Sequence, residues 1–113
     1  MPLPKFNPDI KAGDAEALIE QARQASDLLK ALSHETRLLI LCILSEGEKS
    51  VSELEEILSM PQAAVSQQLA RLRFDRLVNT RREGRMIYYS VAGKEVSSVV
   101  ETLYELFCRP VRS

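Results

Sequence analysis

The sequence predicts a mainly α-helical domain that carries one β-hairpin. Its 113 residues and 12.7 kDa leave room for one domain, which buries roughly two thirds of its unfolded surface. Through most of the chain, apolar residues recur at spacings of three and four, the period of a helix. After Leu77 the period changes to two on either side of a glycine, which indicates a hairpin.

Composition excludes several classes of protein. Apolar residues make up 45% of the chain and charged residues 27%, as in ordinary globular proteins. The longest apolar run, Leu38–Leu44, is far shorter than the roughly 20 residues that span a bilayer. A collagen-like chain and a disulfide-stapled scaffold are excluded too. Because no charged and apolar leader opens the chain, we expect a cytoplasmic protein with no membrane partner.

The N-terminal part of the chain predicts two helices behind a short arm. Residues 1–12 contain three prolines, and we expect a flexible arm there. An amphipathic helix is predicted over residues 14–32. Ser33 is predicted to cap a second helix that contains Leu38–Leu44 and stops at Gly47. Because that run is apolar on every side, we expect it at the centre of the core.

A short helix and a longer one follow. Ser50 and Glu53 have the spacing of a capping box, and the helix that they begin ends near Leu58. Pro61 suits the first position of a fourth helix, which runs to about Phe74. Its predicted core stripe consists of Val65, Leu69 and Leu72. Such a short–long pair is the helix-turn-helix pattern, in which the second helix enters the DNA major groove.

The C-terminal part of the chain predicts a hairpin and a last helix. The β-rich runs 78–82 and 85–91 are joined across Glu83-Gly84. The last helix is predicted over residues 93–108 and is ended by Pro110. Its predicted apolar face consists of Val96, Val99, Val100, Leu103, Leu106 and Phe107.

Charge is distributed unevenly along the chain. The net charge is only −1, but residues 1–60 carry 6 Lys/Arg against 11 Asp/Glu, and residues 61–113 carry 9 against 5. Six arginines fall within fifteen residues: Arg71, Arg73, Arg76, Arg81, Arg82 and Arg85. Such a run on its own is typical of a solvated surface. Together with a helix-turn-helix and an arginine-tipped hairpin, it favours binding to a polyanion, namely double-stranded DNA.

Candidate DNA contacts follow from helical geometry. With Val65 turned toward the core, Ala63, Gln67 and Ala70 point away from it, and amide and hydroxyl groups there can pair with adenine edges or phosphates. The arginines of the hairpin suit phosphates or the minor groove. The full candidate set is Gln62, Ala63, Ser66, Gln67, Gln68 and Arg71 in the fourth helix, and Arg81, Arg82 and Arg85 in the hairpin.

Three segments resemble the signature segments of ArsR/SmtB-type repressors: residues 31–38 (ALSHETRL), residues 65–69 (VSQQL), and the hairpin TRREGR followed by IYY. The resemblance covers about residues 15–108. It implies a winged helix-turn-helix homodimer, built on the first and last helices, that represses transcription until an inducer binds. Pro61 departs from the family, which usually has a polar cap there. We place this domain at residues 13–109, followed by a tail over residues 110–113.

The apolar faces of the first and last helices also favour a dimer, since the remaining helices and hairpin can hardly cover both. A two-fold dimer places two reading helices on successive major grooves, and we therefore expect an operator that is an imperfect inverted repeat.

The metal sites common in the family are missing from this sequence. One type uses Cys-x-Cys at the start of the third helix, where this chain has Val51-Ser52-Glu53-Leu54. Another uses Asp and His on the last helix, which here lacks histidine. The single histidine, His34, is interpreted as a surface or capping residue. We therefore predict no metal site and no cofactor.

Cys42 and Cys108 remain as candidate sensing residues. Two buried thiols acting as small apolar residues are the ordinary interpretation. Their placement resembles the BigR/SqrR group of reactive-sulfur sensors, with one cysteine in the second helix and one near the end of the last. That resemblance implies that persulfides link the pair in a disulfide or polysulfide bridge, that DNA is released, and that genes for sulfide detoxification are derepressed. Arg109 beside Cys108 favours a thiolate there, so we expect Cys108 to react first and Cys42 to resolve.

Three alternatives stay open. The two thiols could bind arsenite or another soft metal, or respond to a general oxidant. A winged-helix module could instead bind protein, in which case its binding would depend little on salt. An enzyme is the least favoured, because the sequence shows no nucleophile paired with a base and no phosphate-binding glycine loop.

Overall fold

The computed structural model describes residues 12–112. These residues fall into two compact units, one ending at Lys30 and the other beginning at Ala31. The first unit is a single amphipathic helix, most of α1 (Ala12–Leu32), as the apolar spacing predicts. Its apolar side chains Leu18, Ile19 and Leu29 are exposed. The predicted arm falls almost entirely on residues outside the described range.

The second unit is built around α2 (Glu35–Leu44), which packs against α4 (Gln62–Phe74) and α5 (Lys94–Leu103). The last five residues of α2 are buried, so the prediction of a central apolar helix is confirmed. The predicted positions of both ends of this helix were wrong. His34, rather than Ser33, is the N-cap, and it makes no side-chain capping bond. The helix ends at Leu44 with Ser45 as C-cap, short of Gly47, and the Ser45 hydroxyl donates to the Cys42 carbonyl.

The helix-turn-helix consists of α3 (Val51–Leu58) and α4 (Gln62–Phe74), which pack against each other. The predicted capping box is confirmed: Ser50 Oγ accepts from the Glu53 amide, and the Glu53 carboxylate accepts from the Ser50 amide. Pro61 is the N-cap and not the first helical residue, since its ψ of 152° is extended. Ser59 turns the chain in the left-handed region, at φ 52°. The predicted stripe Val65, Leu69 and Leu72 is fully buried with Leu54.

The hairpin is part of a three-stranded antiparallel sheet, in the order β1–β3–β2. Strands β2 (Val78–Glu83) and β3 (Met86–Val91) form the wing. Its turn is Gly84-Arg85, one residue later than predicted, because Gly84 has the positive φ that a two-residue turn needs at its first position. The short strand β1 (Lys49–Ser50) pairs with Tyr89 and Tyr88, and its two residues are too few to leave a periodic signal.

The last helix departs most from prediction. α5 (Lys94–Leu103) is followed by a π-helical turn, which we call the π segment (Tyr104–Cys108), and then by α6 (Arg109–Arg112). Pro110 therefore does not end the helix. The Arg109 amide donates to the Tyr104 carbonyl, five residues back, and this wider turn carries the chain into the proline.

The π segment also changes which residues face the core. In a regular α-helix Phe107 would lie within about 20° of the buried Val100, and Cys108 about 80° away. The wider turn inserts one residue, so Cys108 takes the inward position. Leu106 and Phe107 are 62% and 70% exposed, so this end of the predicted apolar face is not buried within the single chain. The sequence predicts that this face pairs with a second copy.

Candidate DNA-reading surface and dithiol site

The outward face of α4 carries the predicted polar and small residues. Val65 and Leu69 anchor the inner face, and this turns Gln62, Ala63, Ser66 and Gln67 to the exposed side, together with Ala70 and Arg71. We call this exposed set the reading face. Ala63 and Ala64 in its first turn are small, so a groove floor could approach the helix closely there.

Two of the candidate contacts in α4 have partners within the protein. Gln68 is half-buried, and its side-chain oxygen accepts from Arg37 Nη1 at 3.3 Å. Arg37 lies on α2 and also donates through Nε to the Ala31 carbonyl at 3.0 Å. Gln68 therefore holds α4 against α2 with its oxygen, while no hydrogen bond of its NH₂ group is seen among the described residues. Arg71 is paired with Asp75 at 3.0 Å on an exposed surface.

The three wing arginines differ from one another. Arg82 Nε donates to the Gly84 carbonyl at 3.2 Å, and Arg85 stands at the turn. Both are exposed, and within residues 12–112 neither forms an ion pair. Arg81 is engaged instead: it pairs with Glu48 and Glu83, and its guanidinium lies 4.7 Å from the centre of the Tyr88 ring. A hydrogen bond from Arg81 lowers the pKa of the Glu48 carboxyl.

Within the second unit, the structure brings together the two predicted cysteines. Cys42 comes from the buried end of α2 and is 3% exposed, while Cys108 ends the π segment and is half-buried. The two free thiols are close enough to share a hydrogen bond. Burial, then the charge of Cys108, then that hydrogen bond raise the pKa of Cys42 to about 12. Cys42 is therefore a neutral thiol at physiological pH.

A cavity of about 430 Å³ opens beside the two thiols. Its wall is mostly apolar, with one carboxylate and one ammonium group; it is formed by Leu39, Ile43, Glu46, Lys49, Ile57, Leu58 and Tyr104 with both cysteines. Arg109, adjacent to Cys108, is paired with Glu105 at 2.7 Å, so its charge is not directed at the thiol alone. The sequence located both cysteines but gave no signal for this cavity, because its wall comes from four separate elements.

Residues 12–112 contain no helix long and apolar enough to cross a membrane. Within the same described range, no three His, Cys, Asp or Glu side chains are grouped so that they could hold a metal ion.

Comparison with known proteins identifies the family. Residues 34–80 match the model of the bacterial regulatory proteins of the arsR family. The chain is 44% identical over 90 residues to the transcriptional activator HlyU of Vibrio cholerae serotype O1, a match that covers 80% of this chain and 83% of HlyU. The chain belongs to the ArsR family.

Other ArsR relatives agree in sequence and in structure. A biofilm growth-associated repressor of Agrobacterium fabrum is 43% identical over 94 residues, covering 83% of this chain and 80% of that protein. The crystal structure of the transcriptional repressor BigR from Xylella fastidiosa superposes with a TM-score of 0.74 at 40% identity, covering 83% of this chain and 96% of that one. The predictions of a winged helix-turn-helix fold and of a DNA-binding transcriptional regulator, not an enzyme, are confirmed.

Proposed function

We propose that this ArsR-family regulator is a dithiol repressor. In its reduced form it binds an inverted-repeat operator through α4 and the wing. Reactive sulfur links Cys42 to Cys108, the operator is released, and genes for sulfide detoxification are transcribed. A regulator of this kind works where the chromosome is, so we place it in the cytoplasm. The observation that carries the proposal is the adjacency of the two thiols beside an open, mostly apolar cavity.

The chemistry needs only a persulfide, R–S–SH. The Cys108 thiolate attacks the outer sulfur, which gives Cys108–S–SH and RS⁻. Cys42 sulfur then attacks the Cys108 sulfur and displaces HS⁻, while the Cys42 proton leaves with it as H₂S. The two cysteines lose two electrons to form the disulfide, and the persulfide is reduced to RSH and H₂S. If both cysteines are persulfidated first, the same displacement gives a trisulfide.

Burial sets the order of these steps. The half-buried Cys108 can be reached by a persulfide, whereas Cys42 is almost fully enclosed and neutral. This difference in burial supports the order that the sequence predicts, in which Cys108 reacts first and Cys42 is the resolving thiol.

The bridge would act on DNA binding through α2. This helix carries Cys42, packs against α4, and is tied to the reading helix by the hydrogen bond from Arg37 to Gln68. Linking α2 to the π segment biases the position of α2, and α4 moves with it. In a dimer, a small change in each α4 misplaces the two reading helices relative to successive major grooves.

The dimer is part of the proposal. ArsR-family regulators are often dimers, and this chain exposes apolar side chains on both helices that the sequence predicts to pair: Leu18, Ile19 and Leu29 on α1, and Leu106 and Phe107 in the π segment. Association of two copies would remove this apolar surface from water.

Intact-protein mass spectrometry tests the sensing step. Reduced protein is treated with a persulfide donor, with hydrogen peroxide and with arsenite in parallel, and each product is digested and assayed on operator DNA. We expect a Cys42–Cys108 cross-linked peptide and loss of operator binding with the persulfide donor. Cys42→Ser and Cys108→Ser are matched controls, which should bind DNA when reduced and stay bound after treatment.

Other results would replace the proposal. An unchanged mass after persulfide treatment, with both thiols intact, would mean that the two cysteines are structural residues and that the inducer acts at another site. Release by arsenite alone would identify a soft-metal sensor. A cross-linked protein that keeps its operator affinity would separate the thiol chemistry from DNA binding.

A further inference from the structure

One arginine of the wing spans the whole sheet. Arg81 lies on the edge strand β2, and its cross-strand neighbour on the central strand β3 is Tyr88. Ser50 of β1 faces Tyr88 from the other side. The guanidinium passes over the Tyr88 ring and reaches Glu48, immediately before β1, with Nε–Oε2 and Nη2–Oε1 distances of 3.1 and 2.5 Å. This side chain therefore joins the outer strand of the wing to the segment that connects α2 with α3.

The same contacts make Arg81 a poor phosphate ligand. All three of its guanidinium nitrogens donate to carboxylates, since Nη1 binds Glu83 at 2.9 Å. The group of Arg81, Glu48 and Glu83 has a net charge of −1, so a phosphate would meet two carboxylates there. Arg82 and Arg85 carry no such ion pairs within the described range.

From this geometry we propose that Arg81 is a positioning residue. The fork that it forms with Glu48 fixes the wing relative to α3 and α4, and the DNA phosphates are met by Arg82 and Arg85. The inference rests on the proposed function insofar as the wing is taken to contact DNA. It changes the role that the sequence suggests for Arg81, from a DNA contact to a brace, while leaving Arg82 and Arg85 as candidate contacts.

The two roles of Arg81 predict opposite results when Glu48 is neutralised. If Arg81 braces the wing, Glu48→Gln loosens it, and operator affinity falls about fivefold with an unchanged salt dependence. If Arg81 contacts phosphate, the same change frees it, and affinity rises with a steeper salt dependence. Glu83→Gln is the matched control, because it removes the same charge from within β2. It measures how much operator affinity rises when one negative charge near the DNA is removed. The operator affinity of Glu48→Gln should be lower than that of Glu83→Gln.

A charge exchange separates brace from contact without changing the net charge. Arg81→Glu alone should bind weakly, and combining it with Glu48→Arg should restore the ion pair and bring affinity back to within about threefold of wild type. A double variant as weak as Arg81→Glu, with a salt slope lower by about one, would overturn the proposal. Thermal unfolding of each variant confirms that the fold is kept.

Hydrogen exchange of the protein alone tests the brace independently of DNA. Glu48→Gln should speed exchange of the amides that bond across the β1–β3 ladder by about fivefold or more, and Glu83→Gln should not. Unchanged exchange in Glu48→Gln would overturn the proposal even if operator binding changes. Arg82→Ala and Arg85→Ala could leave operator affinity and salt slope unaltered while Glu48→Gln speeds exchange as expected. That result would contradict a role of the wing in DNA binding but would still support Arg81 as a positioning residue.

Discussion

The reading face and the dithiol site are specified in different ways. The reading face is a local feature: one helix with a buried stripe exposes its opposite side, and its polar and small residues are visible in a few turns of sequence. The dithiol site is a tertiary feature. Cys42 lies on α2, and Cys108 lies on the π segment that continues α5, a helix that begins fifty residues after the end of α2. A candidate binding surface can therefore be located from periodicity, whereas bringing two distant thiols together depends on the relative rotation of two helices.

The largest expected effect is on the reading face alone. Gln67→Glu replaces an amide that can both donate and accept by a carboxylate that only accepts and repels phosphate. We expect operator affinity to fall about 100-fold while the yield of the Cys42–Cys108 cross-link stays the same. Fluorescence anisotropy and peptide mass spectrometry measure the two quantities. A parallel fall in cross-linking would show that the two regions are not separable.

The converse test acts on the dithiol site. Because the pKa of Cys42 is about 12, its thiolate fraction rises about tenfold with each pH unit between 7 and 9. Closure of the bridge from a mixed disulfide of Cys108 with a small thiol, an electrophile whose charge does not change in that range, should accelerate accordingly and without a plateau, because burial is the largest cause of the raised pKa and does not depend on Cys108. Quenched-flow mass spectrometry follows this step. A plateau near pH 8 would mean that the Cys42 thiol ionises far more readily than its burial implies.

The sequence anticipated more of the reading face than of the dithiol site. The capping box at Ser50, the buried stripe around Val65 and the wing are local patterns, and all three are confirmed. Pro110 was misassigned because its place within the last helix depends on one π-helical turn, which a fixed step of 100° per residue cannot represent. The Arg81–Glu48 pair joins residues 33 positions apart, and a charge count alone made Arg81 equivalent to Arg82 and Arg85.

A smaller effect concerns the wing, outside the reading face. Arg85→Ala at the wing turn removes one exposed cation, and we expect a loss of a few-fold in affinity with a salt slope reduced by about one. Titrations at several salt concentrations give the slope. Lys94→Ala, which removes an exposed cation from the start of α5, is the matched control, and an equal loss there would indicate a general effect of charge.

The smallest effect concerns stability. Ser50→Ala removes the capping oxygen of α3, and we expect a loss of about 1 kcal/mol in the free energy of unfolding. Ser52→Ala, which changes an exposed serine two residues further along in the same helix, is the control. Chemical denaturation of the reduced protein measures both. Equal stabilities would mean that water replaces the cap at no cost.

The π segment implies an unusual tolerance to change in chain length. The turn holds one residue more than an α-helix needs, so deleting Glu105 should let the segment relax to α-helical geometry with Cys108 still in phase with Val100. Deleting Ser98 from α5 instead would rotate everything after it by about 100° and carry Cys108 away from Cys42. What keeps the two thiols facing each other is therefore the rotational position of Cys108 around its helix, and not the number of residues between the cysteines. A chain shorter by one residue could keep the same pair of facing thiols.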